Sequence, residues 1–456
     1  MPLYEFKEGS SSKFWEITLS GNSFTTRWGK IGTKGQEKTQ SFSNAVEAKR
    51  EHDKLVAEKT KKGYELADGQ EAPDEDEGGD DTSGMAKRNP ELEAAIEKDP
   101  DNFEGYLVYG DWLQGQGDPR GELIALQCAA HQATGEEATK LKKQASALVR
   151  KYKQFLLGPL AGKEDNEVKL EWRFGFIRSA RLARGDFDSE FNVPEAVGAF
   201  MKLPSTRFLR ELTLGMADFE ENDYGETIEA LGETPCPTLE RLFIGDFEYP
   251  DDTEISWAHV RDISPLYKAF PGLHALKLRG GSLELGAVNL PELREFTVET
   301  GGLPIEAVQS IAKAKWPKLE RLEVWFGEEN YGAGGDEKDI QPLLDGQGVP
   351  KLKHLGLRNA VFAHKLCSVL PGAKILPQLT SLDLSMGTIM DEEAAVLVKH
   401  AAAFKHLKQL NLSENLLTSA GEKQVAKLCE SVTAGNQREH YNYSDDEDNR
   451  YVAVGE

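Results

Sequence analysis

The residues most able to act as nucleophiles, bases or metal ligands are nine histidines and four cysteines, and they are scattered along the chain. Cys128, Cys236, Cys367 and Cys429 form no C-x-x-C pair and have no histidine at ligand spacing, so neither a zinc site nor a disulfide framework is expected. They read instead as small hydrophobes in a reducing compartment, which with the absence of a basic-then-apolar leader points to the cytoplasm. The sequence contains no G-x-x-x-x-G-K-[ST], G-x-S-x-G or H-E-x-x-H motif. Gly115-Gln116-Gly117-Asp118-Pro119-Arg120-Gly121 is one residue off a dinucleotide fingerprint, but it follows a helical pattern and so fails on context. Asp111, Asp118, Arg120 and Glu122 suggest a carboxylate site; caps, turns and an arginine paired inside a helical region account for them more simply. No catalytic residue, metal or cofactor is expected, and the chain reads as a non-enzyme.

Binding chemistry is better represented. Arg27, Trp28, Lys30, Lys34 and Lys38 lie in one strand–loop–strand stretch within a basic region. Residues 1–64 carry 12 Lys and Arg against 8 Asp and Glu, a charge of +4 on a chain whose net charge is −23. A polyanion would therefore be met by the N-terminal region, and the acidic remainder held away from it. One reading of Trp28 is a packed core residue among ordinary solvated lysines; the other follows from the family resemblance of its stretch.

The elements that must position these residues follow from periodicity. Residues 1–69 alternate as an antiparallel sheet, with strands over 13–19, 24–31 and 38–43 and a helix from Asn44, as cap, to Lys62 before Gly63. Ala45, Ala48, His52, Leu55 and Val56 give that helix its apolar face. Residues 70–86 form an acidic linker too poor in large apolar residues to fold. Residues 87–157 are helical, within a helical cap domain taken to 176: Asn89-Pro90 starts one helix, Asp99-Pro100 breaks it, and Pro119 opens a third after Gly115-Gln116-Gly117, while Trp172 to Leu182 reads as the first strand unit.

From 177 to 434 one phrase recurs, Leu-x-x-Leu-x-Leu or a close variant. It begins at Leu209, Leu239, Leu273, Leu293, Leu319, Leu352, Leu379 and Leu407, with starts 20 to 34 residues apart. Ile177-x-x-Ala180-x-Leu182 is a degenerate entry copy. This is the leucine-rich-repeat period, in which strand and return segment stack on their neighbours because no unit buries its own apolar side. The fold class is thus α/β, a solenoid behind a helical cap and a small α+β domain. Period 2 turns Arg241, Phe243, Lys277, Arg279, Arg321, Trp325, His354 and Arg358 out of the strand ladder, with Glu295, Glu299, Glu323, Ser381 and Asp383 among them. Arginine and aromatic residues are favoured at binding hot spots, so a protein partner is expected there. Trp325 either stands free on that face or folds into the insertion at 328–337. Residues 435–456, with Ser444-Asp445-Asp446-Glu447-Asp448, are expected to be disordered.

Three stretches carry family resemblances. Trp28-Gly29-Lys30-Ile31-Gly32-Thr33-Lys34-Gly35-Gln36, followed by Phe42, Ala45 and Lys59-Thr60-Lys61-Lys62-Gly63-Tyr64, resembles the WGR domain of poly(ADP-ribose) polymerases and bacterial regulators. The resemblance implies contact with nucleic-acid ends through Trp28 and neighbouring cations. Lys30 stands where the motif has arginine, keeping the charge but losing the bidentate fork. Asn89-Pro90-Glu91-Leu92, Tyr109-Gly110-Asp111-Trp112-Leu113 and Gly117 to Glu122 resemble the repeat-companion domain that precedes bacterial leucine-rich repeats. Leu407 to Asn415, with Leu417, Gly421, Val425 and Leu428, resembles the ribonuclease-inhibitor class, in which Asn415 would satisfy backbone groups in the turn leaving the strand. Together these imply a bacterial-type interaction protein: the N-terminal domain on DNA, RNA or a nucleic-acid complex, and the solenoid on a protein. The alternatives are a pure protein scaffold, or an inhibitor or regulator that clasps a target enzyme.

Overall fold

The structure, a computed structural model, describes residues 3–8, 11–20, 22–42, 45–62, 64–66, 88–163, 165–439 and 450–456. The expected linker at 70–86, the Asn44 cap, the Gly63 stop and the acidic run Ser444 to Asp448 lie outside the described residues. The chain divides into two compact units, 1–89 with 112–118, and 90–111 with 119–456.

The first unit is a five-stranded antiparallel sheet with a helix. Its strands are β1 (Leu3–Glu8), β2 (Ser11–Ser20), β3 (Ser23–Lys30), β4 (Gln36–Ser41) and β5 (Glu65–Leu66), in the order β4-β3-β2-β1-β5, and its helix is α1 (Ala45–Lys61). The expected strands and helix are present; β1 and β5 are additional. Tyr4, Trp15, Ile17 and Phe24 make the core, and Leu55 and Val56 of α1 pack on it with Phe42 and Tyr64. The β3–β4 connection is closed by glycine. Gly35 sits at φ +69°, and a Cβ there would lie 2.6 Å from the Phe14 ring and 2.7 Å from the Trp28 carbonyl oxygen. Only a residue without a side chain brings the loop that close.

The second unit begins with α2 (Pro90–Lys98), α3 (Phe103–Gly115), which runs on into the stretch grouped with the first unit, α4 (Pro119–Gln132) and α5 (Gly135–Lys151). Phe176 and Phe208 meet edge-on at 4.7 Å and Tyr109 stacks on Phe176 at 5.9 Å, so these helices cover the apolar end of the ladder. Beneath them Glu93, almost fully buried, accepts from the Tyr109 hydroxyl at 2.8 Å and from Arg207 at 2.9 Å. This is the capping a solenoid end requires.

The ladder strands run β6 (Val168–Arg173), β7 (Phe176–Leu182), β8 (Glu211–Leu214), β9 (Arg241–Ile244), then, after β10 (His259–Asp262), β11 (Ala275–Arg279). After β12 (Gly281–Glu284) come β13 (Glu295–Glu299), β14 (Arg321–Gly327), β15 (His354–Ala360), β16 (Ser381–Asp383), β17 (Gln409–Asn411) and β18 (Ser431–Thr433). Eleven of them form one sheet, parallel except for the β6–β7 hairpin, while β10 and β12 pair separately. All eight leucine phrases and the entry copy lie in this sheet. Its register joins like positions: Leu242 faces Leu212 and Leu276, Leu322 faces Phe296 and Leu355, and Leu382 faces Leu410. Every one of these side chains is buried.

Three boundaries differ from expectation. Residues 168–173, assigned to the helical cap, are a ladder strand. β12, not a helix, occupies the short return before β13, because a 20-residue repeat has no room for a full helix. Residues 435–439 and 450–456 are not disordered: Gln437 and Arg438 bond the last turns, and Val452 and Val454 are buried.

Candidate nucleic-acid face and ladder face

On the first unit, strand register sorts the predicted cations. Paired residues of antiparallel strands share a face, and residues alternate along each strand. Trp28 pairs with Trp15 and Gln36, Lys30 with Lys13, and Lys38 with Thr26. Trp28, Lys30, Lys38 and Lys13 therefore project to one side of the sheet, the side of Trp15, Ile17 and Phe24. Trp15 is the packed member of the tryptophan pair at 3% exposure, whereas Trp28 keeps 37% of its surface in solvent. Trp28 is thus not a fully packed core residue. Lys34 projects from the loop fixed by Gly35 and is also exposed.

Arg27 does not belong to this face. It points to the opposite side, where its Nε donates to Glu16 at 2.7 Å and its guanidinium lies over the Phe14 ring at 5.2 Å. Lys13 was missed because sequence reading centred on the Trp28 motif; only the β2–β3 register brings it opposite Lys30. In the last turn of α1, Lys59 lies over the Trp15 ring at 5.7 Å.

On the ladder face the predicted residues do come together, but as two clusters centred on carboxylates. In the first, Glu299 receives Lys277 at 2.8 Å and Arg279 at 2.6 Å. Lys277 also lies over the Phe243 ring at 4.7 Å, and Arg241 reaches Glu295 at 3.5 Å. In the second, Glu323 accepts from Arg358 at 2.7 Å and from Arg321 at 2.5 Å, with the His354 ring at 3.6 Å. Gly356, opposite Glu323 in the register, leaves the space this carboxylate needs: a Cβ would sit 2.9 Å from the Glu323 Cγ. Burial opposes ionisation of Glu323, but His354 and the two arginines outweigh it and hold its carboxyl well below the usual range.

Trp325 is half-buried, packs against the ladder core and carries the Arg358 guanidinium at 5.0 Å. Among the described residues its buried Nε1 has no hydrogen-bond partner. Beyond this cluster a polar groove of 290 Å³ is lined by Arg321, His354, Asp383, Gln409 and Asn411 among others. Asn415 fills the role expected of it: wholly buried, it donates to Leu384 and Leu412 carbonyls at 2.9 and 3.1 Å and accepts from the Ile389 N–H at 3.1 Å.

The second unit is a leucine-rich-repeat solenoid by its ladder and its register. The first unit is a WGR domain: residues 3–71 match that family. Over the same region the chain is similar to the protein YehF of Escherichia coli, with 44% identity over 64 residues, 14% of this chain and 23% of that protein. It is also similar to the uncharacterized protein YfeS of Escherichia coli, with 38% identity over 60 residues, 13% of this chain and 25% of the relative. The chain thus spans about a quarter of the length of these curated relatives. Among solved structures, that of a Bacteroides fragilis protein aligns over 99% of both chains with a TM-score of 0.53 and 24% identity, a likeness of fold alone. An internalin of Listeria monocytogenes aligns over 53% of this chain and 69% of its own at a TM-score of 0.29 and 17% identity, too loosely to bear on the fold. Among the described residues no helix is long and apolar enough to cross a membrane, and no group of three His, Cys, Asp or Glu side chains is placed to hold a metal ion.

Proposed function

We propose that this chain is a non-enzymatic interaction protein of the cytoplasm whose WGR domain contacts nucleic acid and whose ladder face binds a protein. The observation that carries the first half is the shared sheet face: an exposed indole at Trp28, flanked by Lys30 and Lys38 and faced by Lys13. Such a face offers a π-surface to an unstacked base and point charges to phosphates. The ladder face supports the second half through its arginine and aromatic content. Its cations are paired with Glu299 and Glu323, which favours a partner that is itself of mixed charge over a polyanion. Four free cysteines, three of them buried, fit a reducing compartment.

The test is binding of the full chain to a labelled duplex with a single-stranded end, from 50 to 200 mM salt. Three lysine–phosphate contacts give a log–log salt slope of about −2 to −3. Trp28→Ala, and Lys30→Ala with Lys38→Ala, are expected to weaken binding at least about tenfold, while Arg27→Ala changes it little. Negligible binding at the lowest salt, or equal sensitivity to Arg27→Ala and Trp28→Ala, overturns the nucleic-acid half and leaves a protein scaffold.

A further inference from the structure

Residues 450–456 lie across the exits of four ladder strands, and every contact they make is of a kind that recognises an extended peptide. Three successive backbone N–H groups are taken up. Val452 donates to the Glu328 Oε1 at 2.9 Å, Ala453 to the Met386 carbonyl at 3.0 Å and Val454 to the Asn359 Oδ1 at 2.9 Å. Asn359 also donates its Nδ2 to the Val454 carbonyl, so one side-chain amide bonds both the N–H and the C=O of a single residue. That asparagine is wholly buried on β15 at φ +51°, a conformation asparagine tolerates better than most residues.

The side chains alternate as on a strand. Val452 and Val454 are 6% exposed, while Tyr451 between them and Arg450 is 48% exposed. Arg450 enters a pocket at one end, donating to Glu393 at 3.0 Å and to the Thr388 carbonyl at 3.3 Å. At the other end Gly455 meets the backbone of Gly301 so closely that a Cβ on Gly301 would lie 1.9 Å from the Gly455 oxygen, and a Cβ on Gly455 would lie 2.7 Å from the Tyr331 ring. Read from the groove, the required pattern is a basic residue, two apolar residues at alternate positions, then glycine.

We propose that the strand-exit edge of the ladder is a peptide-recognition groove and that 450–456 is its resident, exchangeable occupant. A protein partner presenting an extended segment of the same pattern binds there by displacing it. This goes beyond the proposed function, because the groove recognises main chain at the strand exits, not charge on the ladder face or nucleic acid. The logic is that of strand addition, in which main-chain hydrogen bonds give affinity and alternate pockets give specificity. Tethering raises the local concentration of the resident segment into the millimolar range, so a free peptide is held off the unaltered chain.

The experiment uses the full chain and a fluorescein-labelled peptide of sequence Arg450 to Glu456. Val452→Asp with Val454→Asp expels the resident segment, since carboxylates cannot enter the two apolar pockets unpaired. Fluorescence anisotropy is expected to show at least about tenfold tighter peptide binding to this variant than to the unaltered chain. Adding Asn359→Ala should lower that affinity at least about tenfold by orphaning the N–H and the C=O of the residue at the Val454 position. Equal affinity for the two chains, no binding to a correctly folded expelled variant, or indifference to Asn359→Ala overturns the proposal. Hydrogen exchange on the unaltered chain covers a variant that fails to fold. Millimolar unlabelled peptide should speed exchange at Val452 to Val454, and unchanged protection there means a permanent clasp and overturns it.

Discussion

Glu323→Gln tests whether the ladder face is held together by its buried carboxylates. Glu323 is 9% exposed at its side chain and holds two arginines. The Arg358 contact is mostly buried; a charge-assisted hydrogen bond of that kind contributes about 2 kcal/mol. Arg321 is 44% exposed, so solvent reduces its share to about 1 kcal/mol or less. The substitution keeps the shape but turns an amide N–H₂ toward guanidinium donors, so the expected loss is about 3 kcal/mol near neutral pH. For a chain of this size that corresponds to a melting-point drop of roughly 3 °C. Acid supplies the decisive control. The folded-state carboxyl titrates below its unfolded counterpart, so its stabilisation is complete above the unfolded value of about 4.3 and fades as pH falls toward the folded one. Calorimetry from pH 7 to pH 3.5 should show a gap between the two chains that is constant above about pH 5 and narrows below it. A gap under about 0.5 kcal/mol at neutral pH, or one that does not narrow in acid, refutes the electrostatic account.

Two further substitutions probe the scaffold. Gly35→Ala puts a Cβ into the Trp28 carbonyl and the Phe14 ring at φ +69° and should cost the WGR domain on the order of 2 kcal/mol or more; domain-resolved hydrogen exchange and end binding should weaken together, and unchanged protection of β3 counts against the loop's role. Asn415→Ala removes the bonds its amide donates to the Leu384, Leu412 and Ser413 carbonyls and the one it accepts from Ile389, in a buried turn, and should cost about 3 kcal/mol, read as a lower urea midpoint; a change below about 1 kcal/mol means water replaces the amide.

The ladder was legible because its signal repeats: each Leu-x-x-Leu-x-Leu places two side chains on one face of a strand, and stacking gives every copy the same address. Asn415 was legible for the same reason, as part of a phrase. What escaped reading depends on pairings between residues far apart in the chain. The identity of Arg27 as a tied residue and of Lys13 as a member of the exposed face follows only from the β2–β3 register. The capture of Arg321 and Arg358 by Glu323 needs two neighbouring strands and a glycine at 356 to be known together. Period 2 says that a side chain leaves the sheet; it does not say which carboxylate meets it there.

The 450–456 segment shows this limit most sharply. Its neighbours at 444–448 are acidic, and composition assigned the whole stretch to a solvated tail. Yet Val452 and Val454 alternate between Arg450 and Gly455, and the side chains that accept from this segment are dispersed over three repeats: Glu328 from Val452, Asn359 from Val454 and Glu393 from Arg450. None of these belongs to the leucine phrase, and each is the kind of residue that looks like ordinary surface polarity in a sequence. Asn359 and Glu328 are nonetheless buried, at 0% and 8% exposure, and unlike Asn415, which serves its own turn, they are bonded to the main chain of 450–456. These departures from the leucine phrase are where the ladder holds that segment.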